Sequence, residues 1–302
     1  MIVCFDIGGS SIKGALVEDP QQINTVPRLP TPGNDFEAFV TALKSVINRS
    51  PKQVRAVSIS IAGLQDPKTG KAIVANIPCL HGRPMQKDLE QALGLPVTIA
   101  NDADCFAMAE AEYGAGAGHH VVFGVILGTG IGGGLVINGQ LINARGGYAG
   151  EWGHGPVAAT KAGSPPLAIP RFTCGCGLEG CLDATCGARG LEKLHHHLHQ
   201  REASSQDILA QWLNKDISAS RTLDVYLDIL SAPLAMIINT IGASIVPVGG
   251  GLSNVPELIV AIDKAVRRRM LIDPETALIV PAQNRIEPGL IGAAILGLRQ
   301  RA

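Results

Sequence analysis

The sequence predicts an α/β protein built as two similar lobes. A strand, a glycine hairpin and a second strand occur near the start and again about 120 residues later, each time followed by helices and further strands. The chain is also long enough for two cores: 302 residues, 46% hydrophobic, with 36 glycines for tight turns. A lobe of residues 1–116, completed by a C-terminal helix over 289–302, and a lobe of residues 117–288 are expected, facing each other across a cleft.

Ile2 to Ile7 is a short apolar run that reads as a strand, and a second strand follows from Ile12 to Val17. Asn34 resembles an N-cap with Glu37 at the third helical position, and Phe36, Phe39, Val40, Leu43, Val46 and Ile47 then share one helical face. Val54 to Ala62 and Val97 to Ala100 read as strands and Ala103 to Tyr113 as a helix. The pattern restarts with a strand over Val121 to Leu127, a glycine-rich turn and a strand ending at Ile137. Helices are expected around Leu191, over Leu223 to Ile241 and over Pro256 to Met270. A last strand, Ala277 to Val280, precedes a helix from Leu290.

A net charge of −1 excludes the basic excess that a nucleic-acid footprint requires. Residues Ile229 to Pro256 carry no charge, but Pro233, Asn239, Pro247 and Gly249 to Gly251 interrupt them, so a buried helix leading into a buried strand is expected, with no membrane span. Met1 to Asp6 lacks the features of a signal peptide, and a reduced cytoplasmic protein without disulfides is expected.

Seven cysteines are present. Cys174, Cys176 and Cys181 lie in one glycine-rich knuckle, and His154 lies upstream in Glu151-Trp-Gly-His154. Three thiols and an imidazole complete the tetrahedral donor set of a structural Zn²⁺. Cys4, Cys79, Cys105 and Cys186 stand apart and read as core residues. The run His195 to His199 reads as a solvated helix face.

Three glycine turns remain. In Asp6-Ile-Gly-Gly-Ser-Ser-Ile-Lys13, backbone N–H groups at Gly8, Gly9 and Ser10 suit an anion, Ser11 and Lys13 share a strand face, and Asp6 suits Mg²⁺. Gly128-Thr129-Gly130 forms a second nest. It ends in neither a Walker lysine nor the helix of a Rossmann turn. Gly250 and Gly251 lie in a third, between an apolar strand and a helix. Asn101-Asp102 ends a strand and opens a helix, where a carboxylate serves as N-cap or as general base. Asp104 reads as structural or solvated.

Taken in order, the Asp6 to Ser10 hairpin, Asn101-Asp102, Gly128 to Gly134, Gly150-Glu-x-Gly-His154, the cysteine knuckle and Gly249 to Leu252 resemble the ROK sugar kinases over nearly the whole chain. Asn101 to Ala107, Ala75-Asn76-Ile-Pro78, Gly249 to Asn254 and the long spacer from His154 to Cys174 are most similar to the branch that phosphorylates N-acetylglucosamine. The resemblance implies an actin-like, hexokinase-type (ribonuclease H-like) fold with ATP and sugar in the interlobe cleft, and a homodimer. It implies Asp102 as catalytic base, with Asn101, Glu151 and His154 on sugar hydroxyls and Gly63 and Asn76 shaping the sugar pocket. Asp6, Gly8, Gly9, Ser10 and Thr129 would handle Mg-ATP phosphates, and Gly250 and Gly251 would border the adenosine.

The chain departs from the family pattern twice. Asp183, two residues after the last knuckle cysteine, stands where the family has a sugar-binding glutamate, one methylene longer. Ser10-Ser11 replaces Thr-Lys, with Lys13 as the substitute charge. The implied reaction is transfer of the ATP γ-phosphoryl to the 6-hydroxyl of N-acetylglucosamine, with N-acetylmannosamine and glucose as alternative acceptors. A sugar-sensing repressor of the same family would carry a helix-turn-helix domain, which is not expected with Asp6 so near Met1.

Overall fold

A computed structural model describes residues 1–143, 148–272, 274–284 and 286–299. The chain divides into two compact units, residues 1–114, 134–150 and 284–302, and residues 115–133 and 151–283. The stretch 134–150, expected in the second lobe, belongs with the first. One cause is Asn143, whose side-chain amide donates to the buried Asp104 carboxylate at 2.9 Å. That bond gives Asp104 the structural role. The end of the expected C-terminal helix, 300–302, lies outside the described residues.

In the first unit the elements run β1 (Ile2–Ile7), β2 (Ser11–Asp19), β3 (Gln22–Pro30), α1 (Phe36–Ile47), β4 (Val57–Ile61), the short pair β5 (Leu64–Gln65) and β6 (Ala72–Ile73), α2 (Met85–Leu93), β7 (Val97–Asn101) and α3 (Asp102–Tyr113). The main sheet has the order β3-β2-β1-β4-β7, antiparallel from β3 to β1 and parallel from β1 to β7. Alternation along β1 explains its central place. Val3, Phe5 and Ile7 enter one core with Phe39 and Leu43 of α1 and Leu89 of α2. Ile2 and Cys4 enter the other, with Cys105 of α3 and Leu290, Ala293 and Ala294 of the C-terminal helix. Burying each large apolar side chain contributes about 1.5–3 kcal/mol.

Several boundaries differ from the sequence reading. Asp35, not Asn34, caps α1; its carboxylate accepts from the Glu37 and Ala38 amides at 2.9 and 3.1 Å. The unanticipated β3 is an edge strand with mostly exposed residues and two prolines, Pro27 and Pro30, so it shows no apolar alternation. Helix α2 was also hidden, because its nine residues bury only Met85 and Leu89.

The next elements are β8 (Val121–Leu127), β9 (Ile131–Ile137), β10 (Gln140–Leu141), β11 (Lys161–Ala162), β12 (Leu167–Ala168), α4 (Leu182–Cys186), α5 (Ala188–His199), α6 (Ser205–Leu213), α7 (Ile217–Ile241), β13 (Val246–Gly249), α8 (Pro256–Arg267), β14 (Ile279–Pro281) and α9 (Pro288–Arg299). The unit boundary crosses β9 between Gly133 and Gly134, so β10 and the end of β9 belong, with α9, to the first unit. In the second unit β8 pairs in parallel with β13, and β13 in parallel with β14.

The uncharged stretch forms the end of α7 and then β13. By length and composition α7 would cross a membrane. Here Leu223, Tyr226, Leu230, Leu234 and Ile238 form its buried stripe, against α5, α6 and α8. Asp228 and Asp224 on the same helix accept from the Gly163 and Ser164 amides at 2.8 and 2.9 Å, which fastens the β11–β12 hairpin. The histidine run is only partly solvated. His195 falls on the inner face of α5 with Leu191 and Leu194 and is buried, its Nδ1 2.9 Å from the Thr222 hydroxyl. Cys4, Cys105 and Cys186 are buried, Cys79 is half-buried, and none of the seven cysteines is in a disulfide.

Candidate active site and metal centre

In the first unit, the Gly8–Ser10 turn joins β1 to β2 and is closed by the Gly8 amide donating to the Ser11 carbonyl at 3.0 Å. Thr31, just past β3, clamps it: the Thr31 hydroxyl donates to the Gly8 carbonyl at 2.7 Å and its amide to the Ser10 carbonyl at 3.2 Å. Asn76 packs over Gly9, so the loop expected to shape the sugar pocket also covers the expected phosphate turn.

Register sets the polar group beside that turn. Asp6 stands opposite Lys13 on β2 and Ser60 on β4. The Ser60 hydroxyl donates to Asp6 Oδ1 at 2.9 Å and Lys13 Nζ to Oδ2 at 3.0 Å. Lys13 also meets Glu287 at 2.8 Å, and Glu287 meets Arg28 of β3 at 2.9 Å. Partial burial works to lower the Lys13 pKa, but the bonds from Glu287 and Asp6 outweigh it and the ammonium stands above the usual lysine range. Burial works to raise Glu287, and Lys13 and Arg28 more than offset it, leaving the carboxyl below its usual range. Lys13 is therefore tied to two carboxylates. Glu287, Ser60, Thr31 and Arg28 escaped sequence reasoning because they lie on separate strands and loops and share no motif.

At the end of β7 the N-cap of α3 is Asn101, not Asp102. The Asn101 side-chain carbonyl accepts from the Ala103 amide at 2.8 Å and its side-chain amide donates to the Gly63 carbonyl at 2.9 Å. Asp102 is the first residue of α3, with Oδ1 3.0 Å from the same Ala103 amide. Burial pushes the Asp102 carboxyl above the usual aspartate range; the Ala103 bond opposes this and the negative charge of Asp6 adds to it. A raised pKa gives a better proton acceptor at neutral pH than an ordinary aspartate.

In the second unit, Gly128, Thr129 and Gly130 turn the chain from β8 into β9, with the Gly128 amide donating to the Gly130 carbonyl at 2.9 Å. Gly250, at φ +88°, sits so close to this turn that a Cβ there would lie 2.4 Å from the Leu127 carbonyl oxygen. Two of the expected nucleotide motifs are thus adjacent. Trp152, another residue unmarked in the sequence, donates from its indole to the Gly132 carbonyl at 3.0 Å and stacks edgewise on Phe123. It fixes the Glu151–His154 turn against β9.

His154, Cys174, Cys176 and Cys181 place their donor atoms within 4.8 Å of one another. Cys176 and Cys181 sulfurs are 3.7 Å apart, and Cys174 Sγ is 3.6 Å from His154 Nδ1. Tetrahedral bonds of about 2.3 Å to one Zn²⁺ set sulfurs roughly 3.8 Å apart, so the donor set fits that ion. Burial pushes Cys174 up to about 12, and the Leu178 amide pulls the exposed Cys176 down to about 7. With Nδ1 on the thiol side, His154 leaves Nε2 3.7 Å from the Glu151 carboxylate. Asp183 is the second residue of α4, beside this knuckle, and its Oδ1 accepts from the Ile131 amide at 2.7 Å.

The ROK family sequence profile matches residues 2–300. The chain belongs to the ROK family. It is 37% identical to the N-acetylgalactosamine kinase AgaK of Shewanella sp. (strain ANA-3), over 97% of this chain and 95% of that protein. Identity to the N-acetyl-D-glucosamine kinase of Photobacterium profundum is 34%, over 98% and 99%. A ROK glucokinase from Streptomyces griseus, solved in complex with glucose and AMPPNP, superposes with a TM-score of 0.75 at 29% identity, over 98% of each chain. The α/β fold of this ROK chain is therefore that of the family's hexokinase-like sugar kinases.

Proposed function

We propose that the protein is an ATP-dependent sugar kinase that transfers the γ-phosphoryl group to the 6-hydroxyl of N-acetylglucosamine. The observation that carries this reading is Asp102, a carboxylate at the first position of α3 with its pKa raised by burial. It accepts the proton of the attacking hydroxyl as the oxygen–phosphorus bond forms and ADP leaves. Asn101 keeps one side-chain N–H beyond its bond to Gly63 and orients the sugar with Glu151 and His154. Gly9, Ser10, Thr129 and Gly130 present backbone amides to the phosphates, since the Gly8 and Gly128 amides close their own turns; Gly250 and Gly251 border the adenosine, and Asp6 would hold Mg²⁺ through water. Phosphoryl transfer of this kind rests on positioning and charge stabilisation.

His154, Cys174, Cys176 and Cys181 hold a structural Zn²⁺, which contributes rigidity and no chemical step. The protein acts in the cytoplasm as a soluble homodimer. Relatives named for N-acetyl-D-glucosamine at up to 34% identity support the acceptor, and the relative named for N-acetylgalactosamine at 37% favours its C4 epimer as a second reading. Coupled ADP-release assays over N-acetylglucosamine, N-acetylgalactosamine, N-acetylmannosamine and glucose test both. The highest kcat/KM is expected for N-acetylglucosamine; a higher value for glucose or either other sugar would refute the acceptor assignment, and one for N-acetylgalactosamine would establish the second reading.

A further inference from the structure

Asp183 has a place in this chain that its neighbours define closely. Its backbone amide donates to the Gly153 carbonyl at 2.9 Å, beside the knuckle ligand His154. Its backbone carbonyl accepts from Gly187 at 3.3 Å. Its carboxylate turns toward the second glycine turn, where Oδ1 accepts from the Ile131 amide at 2.7 Å, the short distance of a charge-assisted bond. The other oxygen, Oδ2, lies 3.6 Å from Cys174 Sγ.

The fit against the turn is tight. A Cβ on Gly130 would lie 2.1 Å from Asp183 Oδ1, so the carboxylate lies directly on the turn backbone. No room exists there for the extra methylene of a glutamate, whose carboxylate would have to leave the Ile131 amide. Ala188, the first residue of α5, adds a second tie by donating its amide to the Gly128 carbonyl at 2.8 Å. The segment from Asp183 to Ala188 thus holds both ends of Gly128-Thr129-Gly130.

We propose that Asp183 is a positioning residue for the nucleotide: its carboxylate holds the Gly128–Gly130 turn in the shape that receives phosphate, and it does not bind the sugar. The proposal rests on the kinase reading above. A phosphate cradle works only when its amides are already aimed, because ordering a loose glycine turn on binding costs affinity.

The test uses the zinc-loaded protein and the variants Asp183→Ala, Asp183→Asn and Asp183→Glu. Calorimetry measures Mg-ADP and N-acetylglucosamine separately, elemental analysis counts zinc, and hydrogen exchange follows the peptide spanning 127–133 without ligand. Asp183→Ala is expected to weaken Mg-ADP about tenfold or more, to speed exchange in that peptide, and to leave sugar affinity and zinc content within about twofold. Asp183→Asn keeps a neutral acceptor and is expected to recover most of the nucleotide affinity. Asp183→Glu is expected to behave like the alanine variant. If Asp183→Ala does not fold, the Asn and Glu variants carry the comparison.

Loss of sugar affinity with Mg-ADP binding intact would overturn the proposal and make Asp183 a sugar contact. Loss of zinc together with both ligands would overturn it in favour of a knuckle support. A wild-type protein that binds no Mg-ADP would remove the kinase reading and this role together. A wild-type protein that binds nucleotide, with a turn indifferent to Asp183, would remove this role alone.

Discussion

At the scale of single residues the proposed chemistry turns on two aspartates of the first unit. Asp102 carries a carboxyl raised by burial and by Asp6. Replacing it with Asn is expected to lower kcat about 10²–10⁴-fold while sparing sugar binding, as read by steady-state kinetics and calorimetry. A protonated carboxyl accepts no proton, so kcat/KM should fall as pH drops through a pKa above the ordinary aspartate value of about 3.9. Asp6→Asn removes a negative neighbour and should move that limb to lower pH. A limb that stays put in Asp6→Asn would show that Asp6 is not coupled to the titrating base. Glu287 shifts the opposite way, held down by Lys13 and Arg28. Its contribution to stability is complete above the unfolded glutamate pKa and is lost as pH falls through the lower folded value. Glu287→Gln should therefore flatten the decline of Tm in acid; an unchanged decline would exclude the network as its cause.

At the scale of elements, the proposed phosphate-binding residues sit on turns that strand pairing places. Gly250→Ala meets both a positive φ and the Leu127 carbonyl, so a lower Tm and a raised KM for ATP are expected, with KM for sugar little changed. Cys181→Ser should lose zinc by elemental analysis and lower Tm and sugar affinity together, because the Glu151–His154 turn supplies the knuckle donor His154. Much of this was legible in the sequence. The two strand–turn–strand units, the three-cysteine knuckle and the helix after Asn101-Asp102 follow from periodicity, spacing and glycine placement. What escaped has a physical reason. An edge strand such as β3 faces solvent and shows no alternation, a one-residue shift of the α1 cap leaves the pattern around it unchanged, and His195 has the same letter as its exposed neighbours but a different helix face. Glu287 joins Lys13 only through the fold, since 274 positions separate them.

At the scale of the molecule, each unit closes around strands from distant parts of the chain. The first gathers residues 1–114, 134–150 and 284–302. Its second core exists only because α9 returns to cover Ile2, Cys4 and Val17, with the Ser58 hydroxyl donating to the Ala293 carbonyl at 2.6 Å. Ala293→Leu forces extra methylenes into that seam and is expected to cost about 1–3 kcal/mol in denaturant titrations. A change below a few tenths of a kcal/mol would mean that α9 packs more loosely than described. Sequence alone paired the C-terminal helix with the first lobe but left 134–150 in the second, because the Asn143–Asp104 bond that draws this stretch over joins residues in unrelated motifs.

The late return of α9 also sets the order in which a growing polypeptide becomes whole. While the ribosome is still making residues 115–287, the side of the first sheet that α9 covers has only α3 against it, and Ile2, Cys4 and Val17 lack the cover of Leu290, Ala293 and Ala294. In chain order the second unit has all its residues by 283, before the first has its helix α9. A chain stopped before Pro288 would leave Ile2, Cys4, Ala15 and Val17 without that apolar cover.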